Sequence, residues 1–223
     1  MELCIFNKIE DDLCIKGILE KDNVIVLRNI IEFSETEGVT SSAIKEYVAT
    51  RLANDDNILS RLAQAGKFIG DDLYRLAKFD IEQIYKKLFS TQIKYAPSGN
   101  PIGFSNGYVA SIRAITESKS AQELLDLLIE HYRKFGSGIL AKYNAFRYDG
   151  ELIGVSNTDD ITFDSLVGIE YQKQVLIDNT KAFVSGKAAN NVLLFGDRGT
   201  GKSSSVKALL NMFCDDGLRI IEM

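Results

Sequence analysis

The chain has 223 residues, 45% of them hydrophobic and 26% charged, which suits a soluble globular protein with one large or two modest domains. Its 26 Lys and Arg against 31 Asp and Glu leave a net charge of -5, a balance that does not indicate a nucleic-acid partner. No apolar run approaches the roughly 18 residues that span a bilayer. Glu2 and Asp11-Asp12 stand where a secretory leader needs basic and apolar residues, so a cytoplasmic location without a membrane partner is expected.

Residues 1–32 are apolar with mixed periodicity, and Asn23-Val24-Ile25-Val26-Leu27 suits a strand or a buried helix, helix being the expectation. Thr40 or Ser41 can cap a helix carrying Ile44, Tyr47, Val48 and Leu52, which ends around Asn54-Asp55-Asp56. A short helix over Ile58–Gln64 stops near Gly66. From Asp71 to Phe89, Leu73, Leu76, Ile81, Ile84, Tyr85 and Leu88 form a long amphipathic pattern, with a break expected near Asp80. Tyr95–Asn106 holds both prolines, Pro97 and Pro101, together with Gly99 and Gly103, and reads as a loop. Ser120-Ala121-Gln122-Glu123 is a capping box. It opens a helix with Leu124, Leu125, Leu127, Leu128 and Tyr132 on its apolar face, and Gly136 stops it.

His131, the one histidine, sits between Glu130 and Tyr132 and is expected at the surface or boundary, neither ligand nor base. Cys4, Cys14 and Cys214 are odd in number and far apart, so reduced thiols are expected rather than a disulfide frame or zinc site. Nothing in this half gathers polar groups into a constellation. A helical support domain, a partner-docking module and a regulatory cap are all compatible with it.

The organisation changes near residue 150, giving a mostly helical domain over 1–150 and a second domain over 151–223. Ala141–Tyr148 suits a strand or an ordered connector, Asp149-Gly150 a turn, and Asn157–Asp160 a polar linker. A helix is expected from about Tyr171 to Ser185. Val192-Leu193-Leu194-Phe195 is a short continuous apolar run, as in a buried parallel strand. It feeds Gly196-Asp197-Arg198-Gly199-Thr200-Gly201-Lys202-Ser203, the spacing of a phosphate-binding P-loop.

Glycines let the backbone wrap closely around phosphate oxygens, and the amides from Gly199 to Ser204 should form an anion nest at a helix N-terminus. Lys202 would place its ammonium between the β- and γ-phosphates, and the Ser203 hydroxyl would ligate Mg²⁺. Val206, Leu209, Leu210 and Phe213 continue at helical spacing, Asp215-Asp216-Gly217 breaks the helix, and Leu218-Arg219-Ile220-Ile221 reads as a strand. Strand, loop, helix and strand make a βαβ unit, so the expected fold class is α/β, a helical N-terminal domain preceding the first part of a parallel-sheet P-loop domain.

Ile161-Thr162-Phe163-Asp164-Ser165-Leu166-Val167-Gly168-Ile169-Glu170 resembles the segment that opens AAA+ ATPase modules ahead of their P-loop. In that family it lines the adenine pocket, which by position implies Val167, Gly168 and Ile169 as base contacts. With Phe146-Arg147-Tyr148-Asp149-Gly150, Leu152 and Gly154, and with Gly196–Ser204, the chain looks similar to a group of predicted bacterial AAA+ ATPases catalogued as a domain of unknown function. The resemblance implies ATP and Mg²⁺ as ligands, a protein partner through the N-terminal domain, and homo-oligomers in the full-length form. The sequence departs from the family after the P-loop. Asp215-Asp216 precedes a strand where the family's water-polarising acids end one, and sensors, arginine finger and helical lid have no counterpart. The chain is therefore expected to be the N-terminal part of a longer ATPase, binding ATP but hydrolysing little alone. The alternative is a helical interaction module with a non-catalytic nucleotide site. A P-loop kinase is disfavoured by so late a loop.

Overall fold

The structure is a computed structural model that describes residues 1–38, 42–89, 104–156 and 158–223. It divides into two units, Met1–Lys142 and Tyr143–Met223. Thr40, Ser41, residues 95–103 of the expected loop and Asn157 lie outside the described residues. Among the described residues no helix is long and apolar enough to cross a membrane.

Side-chain caps decide much of the first unit. Helix α1 is Asn7–Asp11, and α2, Leu13–Glu20, starts where the Asp12 carboxylate accepts the Ile15 amide at 3.1 Å. Asp22 likewise accepts from Val24 and Ile25 and opens α3, Asn23–Glu37, so the ambiguous apolar run is helix. Val26, Ile30 and Phe33 recur at helical spacing on its buried face.

Helix α4, Ala43–Ala53, is buried on nearly every side and packs against α7, Asn106–Thr116, and α8, Ala121–Phe135. Its N-cap is Ser42, which makes no side-chain capping bond. Helix α5, Ile58–Gln64, opens with a reciprocal Asn57–Ser60 capping box. At α8 the Ser120 hydroxyl accepts the Glu123 amide, and the Glu123 carboxylate reaches back to the Lys119 amide at 2.8 Å. Gly136, with φ of 79°, ends that helix, and α9 is the short turn Ile139–Lys142.

Helix α6 corrects one expectation. It runs unbroken from Asp71 through Asp80 to Ile84 and continues as a π-helical turn over Tyr85–Phe89. Asp80 does not break the helix because its carboxylate is turned inward, fully buried. There it accepts amides from the start of the chain: Cys4 at 2.9 Å, Ile5 at 2.6 Å and Phe6 at 3.1 Å. These are the amides that lead into α1, whose N-cap Phe6 has no side-chain capping acceptor of its own.

His131 corrects another. It is 1% exposed, with Nδ1 and the Ser111 hydroxyl 2.8 Å apart and Tyr108, Tyr132 and Phe135 around its ring. Burial pulls it down to a pKa of about 4. Tyr132, also buried, donates its hydroxyl to the Leu52 carbonyl at 2.5 Å and so pins α8 to α4. The thiols are free, Cys14 buried and Cys4 exposed.

In the second unit, β1, Ala145–Tyr148, and β2, Leu152–Val155, form an antiparallel hairpin, with Gly150 at φ of 76° in the turn. A 3-10 turn, Phe163–Ser165, precedes α10, Glu170–Val184. Helix α11, Lys202–Phe213, follows the glycine-rich loop, and β3 is Ile220–Glu222. Strand β3 pairs in parallel with β1, Ala145 opposite Ile220, so the sheet order is β2-β1-β3. The fold is thus mostly helical with a small mixed sheet.

The expected pairing differs here. Val192–Phe195 is in no ladder, and Leu193 and Phe195 are 83% and 87% exposed. A strand forms only where a neighbour exchanges backbone hydrogen bonds along at least one of its edges. In this unit β1 supplies the neighbour to β3, a role that a connector over 141–148 would have left empty. Gly154 lies opposite Phe146, and the Tyr143 ring covers it so closely that a Cβ there would sit 2.2 Å from a ring carbon.

Candidate functional site

The glycine-rich loop is shaped by three residues that need positive φ: Gly196 at 143°, Gly199 at 86° and Gly201 at 80°. Gly201 is also the N-cap of α11, and no side chain caps that helix N-terminus. The amides that start α11 therefore keep their donors for another acceptor. Inside the loop the Thr200 hydroxyl donates to the Asp197 carbonyl at 2.9 Å. The Ser205 hydroxyl, buried, donates to the Gly201 carbonyl at 2.9 Å.

Lys202 folds back over this ring. Its ammonium donates to the carbonyls of Gly196 at 2.9 Å and Asp197 at 2.7 Å, and to the Thr200 hydroxyl at 3.2 Å. No ion pair to Lys202 forms among the described residues. A full positive charge is thus held over a glycine turn by neutral acceptors alone. Ser203 is exposed and Ser204 half-buried on the first turn of α11.

Beside the loop runs a groove of about 410 Å³, lined by Ile169 at the N-cap of α10, by Gln172 and Leu176 on that helix, and by Leu194, Thr200 and Lys202 among others. Of the three base-side residues read from the sequence, Ile169 lines this groove. Val167 is 88% exposed and Gly168, with φ of 85°, is exposed beside it. Leu166 approaches the loop itself: a Cβ added to Gly201 would lie 3.7 Å from its side chain. The segment before α10 and the loop after it therefore meet.

Two asparagines that sequence reasoning passed over hold these parts in place. The Asn211 amide, on α11, donates to the carbonyls of Asp159 and Ile161 at 2.9 Å each, and Lys207 on the same helix pairs with the Asp159 carboxylate. From α10 the Asn179 amide donates to the Asn190 carbonyl at 2.9 Å and accepts the Asn190 amide at 2.8 Å. The signal for Asn179 was available, because Ile169, Leu176 and Asn179 share one helical stripe. At the far end of α11, Arg219 donates to the Cys214 and Leu218 carbonyls at 3.0 and 2.9 Å. Burial lowers its pKa and raises that of the Cys214 thiol.

Asp215 and Asp216 stand in the 3-10 turn after α11, ahead of β3. Among the described residues no three His, Cys, Asp or Glu side chains gather as a metal-binding set. A family model described as "Protein of unknown function (DUF815)" matches residues 141–223, which takes in the whole second unit. No curated protein and no solved structure matches the chain.

Proposed function

We propose that the second unit binds ATP with Mg²⁺ through Gly196–Ser204, as a nucleotide-binding domain of AAA+ type. The observation that carries this reading is the loop with its three positive-φ glycines, closed by the Lys202 ammonium at an uncapped helix N-terminus. Phosphate oxygens are the ligands this arrangement suits. They accept from main-chain amides that have no side-chain cap, and they offer Lys202 charged acceptors in place of neutral carbonyls.

In this reading Gly196, Gly199, Thr200, Gly201 and Ser204 shape the cradle and supply amides, Lys202 neutralises phosphate charge, and the Ser203 hydroxyl takes one place on Mg²⁺. The groove beside Ile169 receives the base. Val167 and Gly168 are exposed, and they reach the base only if the segment closes over it. Bound Mg²⁺ would offset charge on the phosphates. Hydrolysis further requires a carboxylate to orient water, and the reading assigns none of the 223 residues to that task. The whole protein would couple ATP turnover to remodelling or loading a macromolecular partner.

The experiment is binding of a fluorescent ATP analogue with and without Mg²⁺, with Lys202→Ala as comparison. Removing one partner of a charge-assisted contact costs about 2–5 kcal/mol, so affinity should fall by about thirtyfold or more. Equal binding by the parent chain and Lys202→Ala would refute the reading. A second reading, a helical interaction module whose nucleotide site is non-catalytic, is favoured by α3, where Val24, Leu27 and Ile31 form an exposed apolar stripe.

A further inference from the structure

Between α10 and the segment feeding the loop lies a groove whose walls are largely apolar. Ile169 at the helix N-cap, Leu176 on the helix and Leu193 to Phe195 on the segment all line one groove. Apolar walls that face each other across a groove offer no directional bond, so they do not fix how far one element has slid along the other. At the end of the same helical stripe the character changes. Asn179 makes two hydrogen bonds to one residue, donating to the Asn190 carbonyl and accepting the Asn190 amide. This paired exchange is what a neighbouring strand makes with a residue in an antiparallel ladder. The Asn179 side chain thus stands in for one rung of a sheet at Asn190, just before the unladdered Val192–Phe195 run.

The helix and the segment run in opposite directions. Asn179 meets Asn190 at one end, and at the other Ile169 shares the groove with Gly196, Thr200 and Lys202. From Ile169 to Asn179 the helix advances about 15 Å. A shift of the segment against α10 would carry Gly196 and the loop with it. It would therefore change the separation between the base-side wall and the phosphate cradle without altering either part. A directional contact resists that slide, and the Asn179–Asn190 pair is a directional contact on this face.

We infer that Asn179 is a positioning residue, which sets the register of the loop against α10 so that one nucleotide can reach both the groove and the phosphate cradle. This rests on the ATP-binding reading above. It makes a claim that a merely structural role does not make. Losing Asn179 should weaken ligands that span both parts and spare ligands that occupy the cradle alone.

The test compares Mg²⁺-ATP with Mg²⁺-tripolyphosphate, which has the phosphates and no base, on the full chain by calorimetry. Asn179→Leu keeps apolar bulk on the stripe and removes both hydrogen bonds. Asn179→Asp keeps the acceptor for the Asn190 amide and removes the donor. Asn179→Leu is expected to bind ATP about tenfold more weakly, while tripolyphosphate affinity changes less than about twofold, with Asn179→Asp between parent and Leu for ATP. Melting curves accompany each variant, and Asn179→Asp carries the comparison if Asn179→Leu does not fold.

Equal weakening of both ligands would overturn the inference, because it would mean that the cradle itself had lost its shape. Unchanged ATP binding in both variants would overturn it as well. If the parent chain bound neither ligand, the ATP-binding reading would fall and this inference with it. That outcome is separate from a parent chain that binds ATP and variants that do not discriminate.

Discussion

Asp80 gives the sharpest energetic prediction. Replacing it with Ala leaves the amides of Cys4, Ile5 and Phe6 without their acceptor, and Ile5 and Phe6 are buried. An orphaned buried donor costs about 1–3 kcal/mol. Two such donors, with Cys4 able to turn to water, set the loss at ~4 kcal/mol, a large share of the ~5–15 kcal/mol that holds an ordinary domain together. Asp80→Asn keeps one oxygen where Oδ2 now stands, so it retains neutral versions of the Ile5 and Phe6 bonds. It should lose only ~1–2 kcal/mol, the difference between charged and neutral acceptors. Asp72→Ala is the control: among the described residues its exposed carboxylate pairs with Arg75 alone, in the first turn of α6, so a loss of at most about 1 kcal/mol is expected. Urea unfolding of the full chain, followed by helical circular dichroism, reads all three. With a slope of ~2 kcal/mol per molar, Asp80→Ala should move the midpoint down by about 2 M. A shift no larger than that of Asp72→Ala would refute the argument that this carboxylate caps the start of the chain.

His131 makes the first unit sensitive to acid. Its folded pKa of about 4 lies below its ordinary value of 6.5, so between those values the unfolded chain binds the extra proton and stability falls as pH falls. The contribution is fully present above pH 6.5, and its loss approaches ~3 kcal/mol near pH 4. His131→Gln should flatten this part of the stability-against-pH curve, and a curve unchanged by that substitution would rule the histidine out as the cause. Gly154→Ala places a Cβ against the Tyr143 ring and should cost ~1–3 kcal/mol in the second unit. Combining it with Tyr143→Ala should cost less than the sum of the two single changes, and strict additivity in melts would contradict the clash.

What could be read in the sequence was local. The α8 cap depends on Ser120 and Glu123, three residues apart, and the positive-φ loop on glycines within six positions, so both were visible in the order of residues. Asp80 was misread because its partners lie at residues 4 to 6, where no local window reaches. His131 was misread by its neighbours Glu130 and Tyr132. Its spacing from Leu124 and Leu128 on the same helix places it on the buried face, and that was the better guide. The sheet was the hardest part. Its strands are three or four residues long, Gly154 interrupts the β-branched and aromatic character that marks a strand, and the β1–β3 pairing joins the two ends of the unit.

That pairing has a kinetic consequence. Ala145 finds Ile220 only after everything between them has been brought around, including α10, the glycine-rich loop and α11. The hairpin of β1 and β2 closes across a short turn and forms early. Its outer edge then waits for the last strand, and closing so large a loop is slow compared with local helix formation. Each helix of the second unit can form from its own residues, but the sheet that ties them together depends on the most distant contact in the unit. The waiting edge of β1, rather than the loop, is where folding of this unit is most exposed to wrong partners.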